Sequence, residues 1–326
     1  MDKESFGRAQ VGHERLKSKD RNHRGVSIAI SSAGLIGLTP IFGKLAINAG
    51  MFSISVVAAR TILATLLLFF MMLVFQRKYL YIFPVGFIGC MIAGCLNGLG
   101  SLFFYLGLAR VDASLSQLLF SLYPVFVALL LYLDGLKHSK TTLASLLLSI
   151  PAVYLLTQAS THGIELRDIL YPLLAGLFYA LHIPINQRVL YEAPPPTVTL
   201  YTLLAMMMVV VPAELIFSPA MFRVPQPAWL PLIGLTLVTS LSRLSLFSGV
   251  KSIGGMRTSL LGLGQLLITV SVAFIWLEET LTPRQWFGAS ILVFALILVG
   301  TDKPITSAPR SQGWLRWLRP RFRRND

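Results

Sequence analysis

The sequence predicts an all-α integral membrane protein in which ten transmembrane helices form two inverted five-helix repeats. The first observation is composition: 55% of the 326 residues are hydrophobic, only 13% are charged, and the mean hydropathy is +0.69. Such a chain has too little polar surface for a water-soluble globule. The second observation is an internal repeat, because a shift of 142 residues lays residues 33–35 (AGL) on 175–177 (AGL) and Tyr105 on Phe247. Each copy holds five apolar segments, and since five is odd, the second copy enters the membrane upside down.

Ten segments are long and apolar enough to cross a hydrocarbon layer of about 30 Å, which needs roughly 17 to 25 residues of helix. None shows the short alternating pattern of a membrane β-barrel, so we expect helices that satisfy their own backbone hydrogen bonds. The expected spans are residues 26–48, 51–75, 82–108, 115–133, 141–158, 169–189, 198–217, 229–249, 259–277 and 284–301.

The lysines and arginines predict the orientation of these spans. With the N-terminus in the cytoplasm, 21 of the 28 fall on the inner side, four on the outer side and three within spans. The positive-inside rule then places both termini in the cytoplasm of a multi-pass protein of the cell membrane, meaning an inner or plasma membrane. An organellar membrane stays open as an alternative.

Most of the net charge of +14 lies at the two ends, in a cytoplasmic basic leader (residues 1–25) and a cytoplasmic basic tail (residues 302–326). Because both ends adjoin the membrane, this charge indicates contact with anionic lipid and not with nucleic acid. Residues 310–324 interleave tryptophan with arginine, which is typical of an interfacial anchor, and a disordered tail that only sets topology is the alternative. The leader lacks the apolar core of a secretory signal.

No motif in the sequence indicates catalysis. Cys90 and Cys95 lie five residues apart in one span and are expected to be packing residues, and the five histidines show no metal-ligand spacing. Nucleophile elbows, phosphate loops and HExxH are absent as well. We therefore expect no enzyme activity, no metal and no cofactor.

One junction of the chain resembles a known family. Residues 277–283 (LEETLTP), followed by Gln285 and Gly288, resemble the GE-x-LTP-x-Q-x-x-G junction of EamA-type members of the drug/metabolite transporter superfamily, with Glu278 in place of the glycine. Residues 122–130 (LYPVFVALL) resemble the helix that precedes that junction in the family.

The resemblance extends to the first span, where Lys44 follows Pro40 as in the family's opening helix, and it covers about residues 26–301. It implies two EamA-like five-helix repeats, at residues 26–158 and 169–301, with substrate held between them and exposed to either side in turn. Two positions depart from the pattern. Lys137 stands where the first repeat would carry the counterpart of Glu279, and Leu266 replaces a proline, so the two halves are not expected to be equivalent.

Ionisable groups within spans are the first candidates for a transport route, because their burial in hydrocarbon costs roughly 2.5 to 3.5 kcal/mol on insertion scales. Lys44, Arg60 and Arg243 meet this criterion. The repeat partner of Lys44 is Asn186, and the two lie at opposite depths, as two half-pathways would require. Lys44 could instead extend its ammonium to the interface. Glu214, in the seventh span, is an expected counter-ion for Lys44 or Arg60.

Uncharged polar residues form a second group. Residues one turn apart make a polar stripe in the fourth span and another in the ninth, which indicates cavity walls or, alternatively, helix-to-helix hydrogen bonds. The stripes are Ser114, Gln117, Ser121 and Pro124, and Ser259, Gly262, Gln265 and Thr269.

Prolines in corresponding spans, Pro40 and Pro184, predict helix kinks near a midplane site. Polar and aromatic residues surround Pro184, and Asn97 lies in the third span between Gly94 and Gly98, a spacing that also predicts close helix packing. The full set of expected substrate-binding residues is Lys44, Arg60, Asn97, Gln117, Ser121, Tyr123, Tyr179, His182, Asn186, Arg243 and Gln265.

These observations together predict a secondary transporter, an exporter or exchanger of a small organic metabolite such as an amino acid, that works by alternating access. No ATP-binding motif is present. The interior cations favour a ligand with a carboxylate or phosphate. Expected partners are the small-molecule substrate and membrane lipid, with a proton, a counter-substrate and a homodimer left open. The alternatives are a sugar-phosphate or nucleotide-sugar antiporter of the same superfamily, and a membrane scaffold or receptor that transports nothing.

Overall fold

The computed structural model describes residues 3–133, 140–158, 165–218, 223–253, 258, 261–262 and 264–301. The basic tail, Lys137 and Ser259 lie outside the described residues. In the leader, the backbone from residue 3 onward is described as helix, and nothing is stated of its side chains.

Within the described residues the secondary structure is helical, without strands. Three helices begin at a proline, namely Pro84, Pro195 and Pro283, and the missing N–H costs nothing at the first position of a helix. Two 3₁₀ turns, Arg77–Leu80 and Gln226–Ala228, connect longer helices. The helices are α1 (Lys3–Asn48), α2 (Ser53–Phe75), α3 (Pro84–Leu108), α4 (Ala113–Phe120), α5 (Tyr123–Leu133), α6 (Lys140–Gln158), α7 (Leu166–Leu190), α8 (Pro195–Phe217), α9 (Trp229–Ile253), α10 (Gly264–Trp276) and α11 (Pro283–Thr301).

Six helical segments of the described chain are long and apolar enough to cross a membrane, and shorter apolar helices accompany them. The outward faces carry large apolar side chains, of which Phe75 is 77% and Leu230 79% exposed. Such faces suit a lipid solvent, because hydrocarbon needs no polar cover. The chain is therefore an all-helical, multi-pass membrane protein. The six segments are Gly25–Asn48, Ser53–Phe75, Pro84–Leu108, Leu166–Leu190, Pro195–Phe217 and Gln226–Ile253.

The two halves of the chain interlock. Helix α1 packs on α9 and α10, while α3 packs on α7 and α8, and α6 packs on α11. When the sequence is shifted by 142 residues, α1 falls on α7 and α3 falls on α9, so the α1–α9 and α3–α7 contacts are equivalent. The most extensive contacts therefore join the first half to the second and not neighbours along the chain.

The fourth expected span, residues 115–133, is divided into α4 and α5 by a turn at residues 121–122. Pro124 explains the break, because it has no N–H to donate to the carbonyl of Phe120 one turn earlier. The polar stripe predicted for this span is consequently not continuous. Ser121 lies at the end of α4, where its hydroxyl donates to the Gln117 carbonyl at 2.7 Å.

Close packing of α3 on α8 depends on glycine. A Cβ on Gly94 would lie 2.5 Å from both the Ala205 Cβ and the Thr202 carbonyl oxygen, and one on Gly98 would lie 3.0 Å from the Val209 Cβ. No side chain fits at Gly94 without separating the helices. The structure agrees with the packing predicted from this spacing.

Candidate functional site

A cavity lies between helices of both halves and is lined by residues of α1, α2, α3, α4, α7 and α9. We call it the central cavity. Space for the centres of water-sized molecules amounts to about 90 Å³. Since one water needs about 10 to 15 Å³ of this measure, the cavity holds several waters or one small metabolite. The lining residues are Ile36, Thr39, Pro40, Arg60, Asn97, Gly100, Ser101, Phe104, Tyr105, Gln117, Phe120, Ala175, Tyr179, Thr239, Ser242, Arg243 and Leu246.

Pro40, where the sequence predicts a kink of α1, lies at this cavity. Pro40 cannot donate to the carbonyl of Ile36, four residues earlier, and both residues line the cavity. The helix therefore lacks one intrahelical backbone hydrogen bond beside the cavity. The corresponding Pro184 is inside α7 but is not a lining residue.

Arg60 of α2 is 4% exposed and reaches the cavity with its guanidinium. Nη1 donates to the Thr239 hydroxyl and Nη2 to the Ser101 hydroxyl, both at 3.2 Å. The guanidinium also lies over the Tyr105 ring, 4.8 Å from its centroid. Its Nε has no hydrogen-bond partner in the described chain. Neutral groups from two helices, α3 and α9, therefore hold this cation in place.

Arg243 of α9 faces the same cavity. The amide of Asn97 is assigned so that its Oδ1 accepts from Nη1 at 2.5 Å and from Nη2 at 2.7 Å. Nη2 is also 3.6 Å from the sulfur of Met206. The bidentate contact with Asn97 fixes the plane of the guanidinium, while its partners remain uncharged.

No acid compensates these two cations within the described chain. None of the described lining residues is Asp or Glu, and no ion pair to a carboxylate is found for either Arg60 or Arg243. The expected counter-ion Glu214 is buried, and its Oε1 accepts a hydrogen bond from Ser55 at 2.7 Å. Lys44 also forms no ion pair in this part of the molecule. The cavity therefore has a net positive charge.

Aromatic rings form one wall of the cavity. Phe120 makes edge contacts with Phe104, at 5.3 Å between centroids, and with Tyr179, at 5.1 Å. Tyr105 is fully buried, and its hydroxyl has no hydrogen-bond partner among the described residues. This wall offers the apolar surface that commonly lines ligand pockets.

The structure brings five of the predicted substrate-binding residues to the central cavity. These are Arg60, Asn97, Gln117, Tyr179 and Arg243. Gln117 is 2% exposed and its Nε2 has no partner in the described chain. The remaining predicted residues, which do not line the cavity, are Lys44, Ser121, Tyr123, His182, Asn186 and Gln265.

Lys44 binds the end of a helix. Its Nζ donates to the carbonyls of Leu108 and Val111, at 2.8 and 2.9 Å, where α3 ends. A cation is favourable at such a position, because helix C-termini carry unpaired carbonyls and partial negative charge.

Glu279 binds the next helix start. Its Oε1 accepts from the backbone N–H of Ala113 at 2.8 Å, and its Oε2 accepts from the N–H and the hydroxyl of Ser114 at 2.9 and 2.8 Å. Lys44 and Glu279 therefore bind the two ends of the α3–α4 connection. The positive charge of Lys44 lies at the C-terminus of α3 and the negative charge of Glu279 at the N-terminus of α4, and each is favourable there. We call these contacts the junction clamp.

His182 and Asn186 are one turn apart on α7 and are both fully buried. The His182 Nδ1 is 2.5 Å from the Tyr179 carbonyl, and its ring lies 4.6 Å from the Tyr179 ring, so it adjoins the cavity through a lining residue. The His182 Nε2 and both amide atoms of Asn186 have no partner among the described residues. Tyr123 is also buried, with its ring 4.9 Å from that of Tyr179.

Gln265 of α10 is buried, and its backbone carbonyl accepts a hydrogen bond from the Thr269 hydroxyl at 3.0 Å. The same hydroxyl donates to the Gly37 carbonyl of α1 at 2.7 Å. Thr269 of the predicted stripe thus connects α10 to α1, as the alternative of helix-to-helix hydrogen bonding predicts, whereas the Gln265 Nε2 has no partner among the described residues.

Several cavity residues had not been predicted. Thr39, Ser101, Tyr105, Thr239 and Ser242 line the cavity. A sequence signal existed for some of them, since Ser101 follows Asn97 by one turn, and Thr239 and Ser242 share a helical face with Arg243. Aromatic residues gave no such signal, because lipid and cavity accept the same rings.

Comparisons with known proteins agree with this architecture. Residues 23–158 and 166–301 each match the EamA-like transporter family. A relative from Archaeoglobus fulgidus, described as an "Uncharacterized transporter", is 28% identical over 189 residues, which cover 57% of this chain and 67% of the relative. A solved structure described as "Crystal structure of protein" superposes with a TM-score of 0.61 and 16% identity, over 83% of this chain and 96% of that one. At that identity the likeness concerns the fold alone.

Proposed function

The chain belongs to the EamA-like transporter family, and we propose that it is a secondary transporter that carries a small organic anion through the central cavity by alternating access. The observation that carries this proposal is the pair Arg60 and Arg243, which face one cavity without an acid beside them in the described chain. Membrane-buried cations without a counter-ion are costly, and a bound anion removes that cost.

We propose that the fold is completed by ten spans in two inverted five-helix repeats. The family matches the chain twice, from residues 23 and 166, and the helix contacts occur in equivalent pairs. Rocking of one set of helices against the other would then open the cavity to each side in turn. The lysine and arginine distribution supports cytoplasmic termini in a cell membrane. Export or exchange is the mode we propose.

The cavity argues against several alternatives. An amino acid would bring an ammonium group that finds no carboxylate among the described lining residues. A nucleotide sugar needs far more room than a cavity that holds several waters. In a scaffold that transports nothing, the cost of burying two interior cations would not be offset by the binding of a ligand. A small sugar phosphate meets the charge requirement and stays a candidate cargo.

Counterflow into liposomes tests the proposal. Purified protein is reconstituted in liposomes preloaded with unlabelled compound, and uptake of radiolabelled organic anions, amino acids and organic cations is compared with protein-free liposomes. We expect saturable counterflow of anions. Arg60→Gln or Arg243→Gln should each lower it about tenfold or more, since a hydrogen bond to a charged group contributes about 1.5 to 3 kcal/mol.

Arg284→Gln is the matched control, because it removes the same charge from an exposed residue at the start of α11. It should leave counterflow unchanged. Selective transport of cations, or equal loss in the control and the cavity variants, would contradict the proposed anion route.

A further inference from the structure

We infer that the cargo bears two negative charges, one for each cavity arginine, and is a small dicarboxylate or phosphate monoester. This inference rests on the proposed function and specifies the substrate class of the same cavity. It is carried by a charge count, by the way each guanidinium is held, and by the size of the cavity.

The two positive charges are permanent. Arginine cannot lose its proton under protein conditions, in contrast to lysine or histidine, so the cavity cannot become neutral by deprotonation. Arg60 and Arg243 line the same space, where like charges repel strongly because little water screens them. Neutralisation must therefore come from an anion that enters.

The protein positions both cations without neutralising either. Arg60 is held by the hydroxyls of Thr239 and Ser101 and by the Tyr105 ring. Arg243 is held by the Asn97 amide and the Met206 sulfur. Every one of these partners is uncharged, which fixes the geometry of the guanidinium while leaving its full charge for a ligand.

Donors remain available on the fixed groups. A guanidinium has five N–H donors, and the contacts of Arg60 in the described chain involve one donor on each of its two terminal nitrogens. The second N–H of each terminal nitrogen is not used by these contacts. Planar, pre-oriented donors of this kind match the oxygens of carboxylates and phosphates, which accept two hydrogen bonds at once.

Ligands of different net charge neutralise different numbers of the two arginines. A monoanion leaves one arginine uncompensated, and a zwitterion leaves both, whereas a dianion neutralises the pair. The cavity admits only a compact molecule, so the two charges must lie within a few carbon atoms of each other. Dicarboxylates and phosphate monoesters share this chemistry.

Isosteric probes test the charge count. Counterflow is measured for succinate against succinamate, which has one carboxylate replaced by an amide, and for glycerol 3-phosphate against its methyl phosphodiester, which keeps one negative charge. We expect at least one dianion to exchange about tenfold or more faster than its matched partner, which is a difference of about 1.4 kcal/mol. The preference of succinate or of glycerol 3-phosphate identifies which of the two chemistries is bound.

Arg243→Gln should reduce that preference to about threefold or less, which is well below the tenfold step that corresponds to about 1.4 kcal/mol. The reason is that a cavity with one arginine is neutralised by a ligand with one negative charge. Arg284→Gln should keep the wild-type preference. Thermal stabilisation of the detergent-solubilised protein by each probe gives a second readout that does not require flux.

The outcomes distinguish a failure of the dianion inference from a failure of the proposed anion transport. Faster exchange of the monoanion, or monoanion exchange that requires chloride as a second anion, overturns the dianion inference and leaves anion transport intact. Exchange of cations or neutral compounds alone overturns both. Absence of stabilisation and exchange with either dianion also overturns the inference.

Discussion

Replacement of Glu279 by glutamine should lower the free energy of unfolding by about 2 to 4 kcal/mol. The carboxylate accepts three hydrogen bonds at the start of α4, two of them from backbone N–H groups. Glutamine retains one acceptor oxygen and presents an NH₂ group to a donor, so at least one charge-assisted bond is lost, at about 1.5 to 3 kcal/mol. Loss of the negative charge at a helix N-terminus adds about 0.3 to 1 kcal/mol.

The assay is equilibrium unfolding of the purified protein in mixed micelles, followed by circular dichroism as the denaturing detergent is increased. Glu278→Gln is the matched control, since Glu278 is exposed, adjacent and of the same charge. Glu278 has a φ of 56°, and because glutamate and glutamine side chains have the same shape, we expect the cost of that backbone conformation to be equal in both proteins. The control should change stability by less than about 0.5 kcal/mol, as surface substitutions usually do.

Ser114→Ala provides an internal check. It removes only the hydroxyl bond to the charged Glu279 carboxylate, so we expect a loss of about 1.5 to 3 kcal/mol. The double variant should lose less than the sum of the two single losses, because both act on one contact. If Glu279→Gln costs no more than Glu278→Gln, the junction clamp does not stabilise the fold and the reasoning is refuted.

Three further outcomes are expected. Gly94→Ala should separate α3 from α8 and lower the unfolding temperature measurably, because its Cβ would lie 2.5 Å from atoms of α8, whereas Gly34→Ala, with its nearest neighbour at 3.6 Å, should be tolerated. Lys44→Gln should lower stability by about 1 to 3 kcal/mol through its lost carbonyl contacts and leave the concentration for half-maximal counterflow unchanged; a change in that concentration alone would place Lys44 on the substrate route. Asn97→Leu should raise the half-saturation concentration for anions about tenfold, since Arg243 loses the acceptor that orients it, and an unchanged value would show that the amide has no positioning role.

The sequence predicted those site residues that stand out chemically from their surroundings. Arg60, Asn97 and Arg243 were recognisable because a charged or amide side chain is rare within an apolar span, and the structure brings all three to one cavity. Tyr105 was not recognisable, since an aromatic ring in a membrane helix can face lipid as readily as a ligand.

The partners of Lys44 and Glu279 could not be derived from the sequence. Lys44 binds carbonyls more than sixty positions away, and Glu279 binds backbone N–H groups in the other repeat. Backbone groups carry no sequence signature, so such contacts appear only once the helices are placed. The departure at Lys137 was visible in the sequence, and that residue lies outside the described part of the chain.

The break in the fourth span could have been predicted and was not. Pro124 removes a hydrogen bond to the preceding turn, yet the polar residues before it at helical spacing suggested one continuous face. The structure ends α4 at Phe120 and starts α5 at Tyr123. Periodicity and proline thus gave opposing signals, and the steric effect of proline prevailed.

The most direct test of transport through the central cavity is the labelling of a single cysteine at Thr39, a cavity residue of α1. In a variant with Cys90 and Cys95 replaced by alanine and Thr39→Cys added, a membrane-impermeant anionic thiol reagent is applied from either side of sealed, oriented vesicles. Alternating access predicts labelling from both sides, slowed by an anion that counterflows. Labelling from neither side, or from one side only and without protection by that anion, would contradict the account.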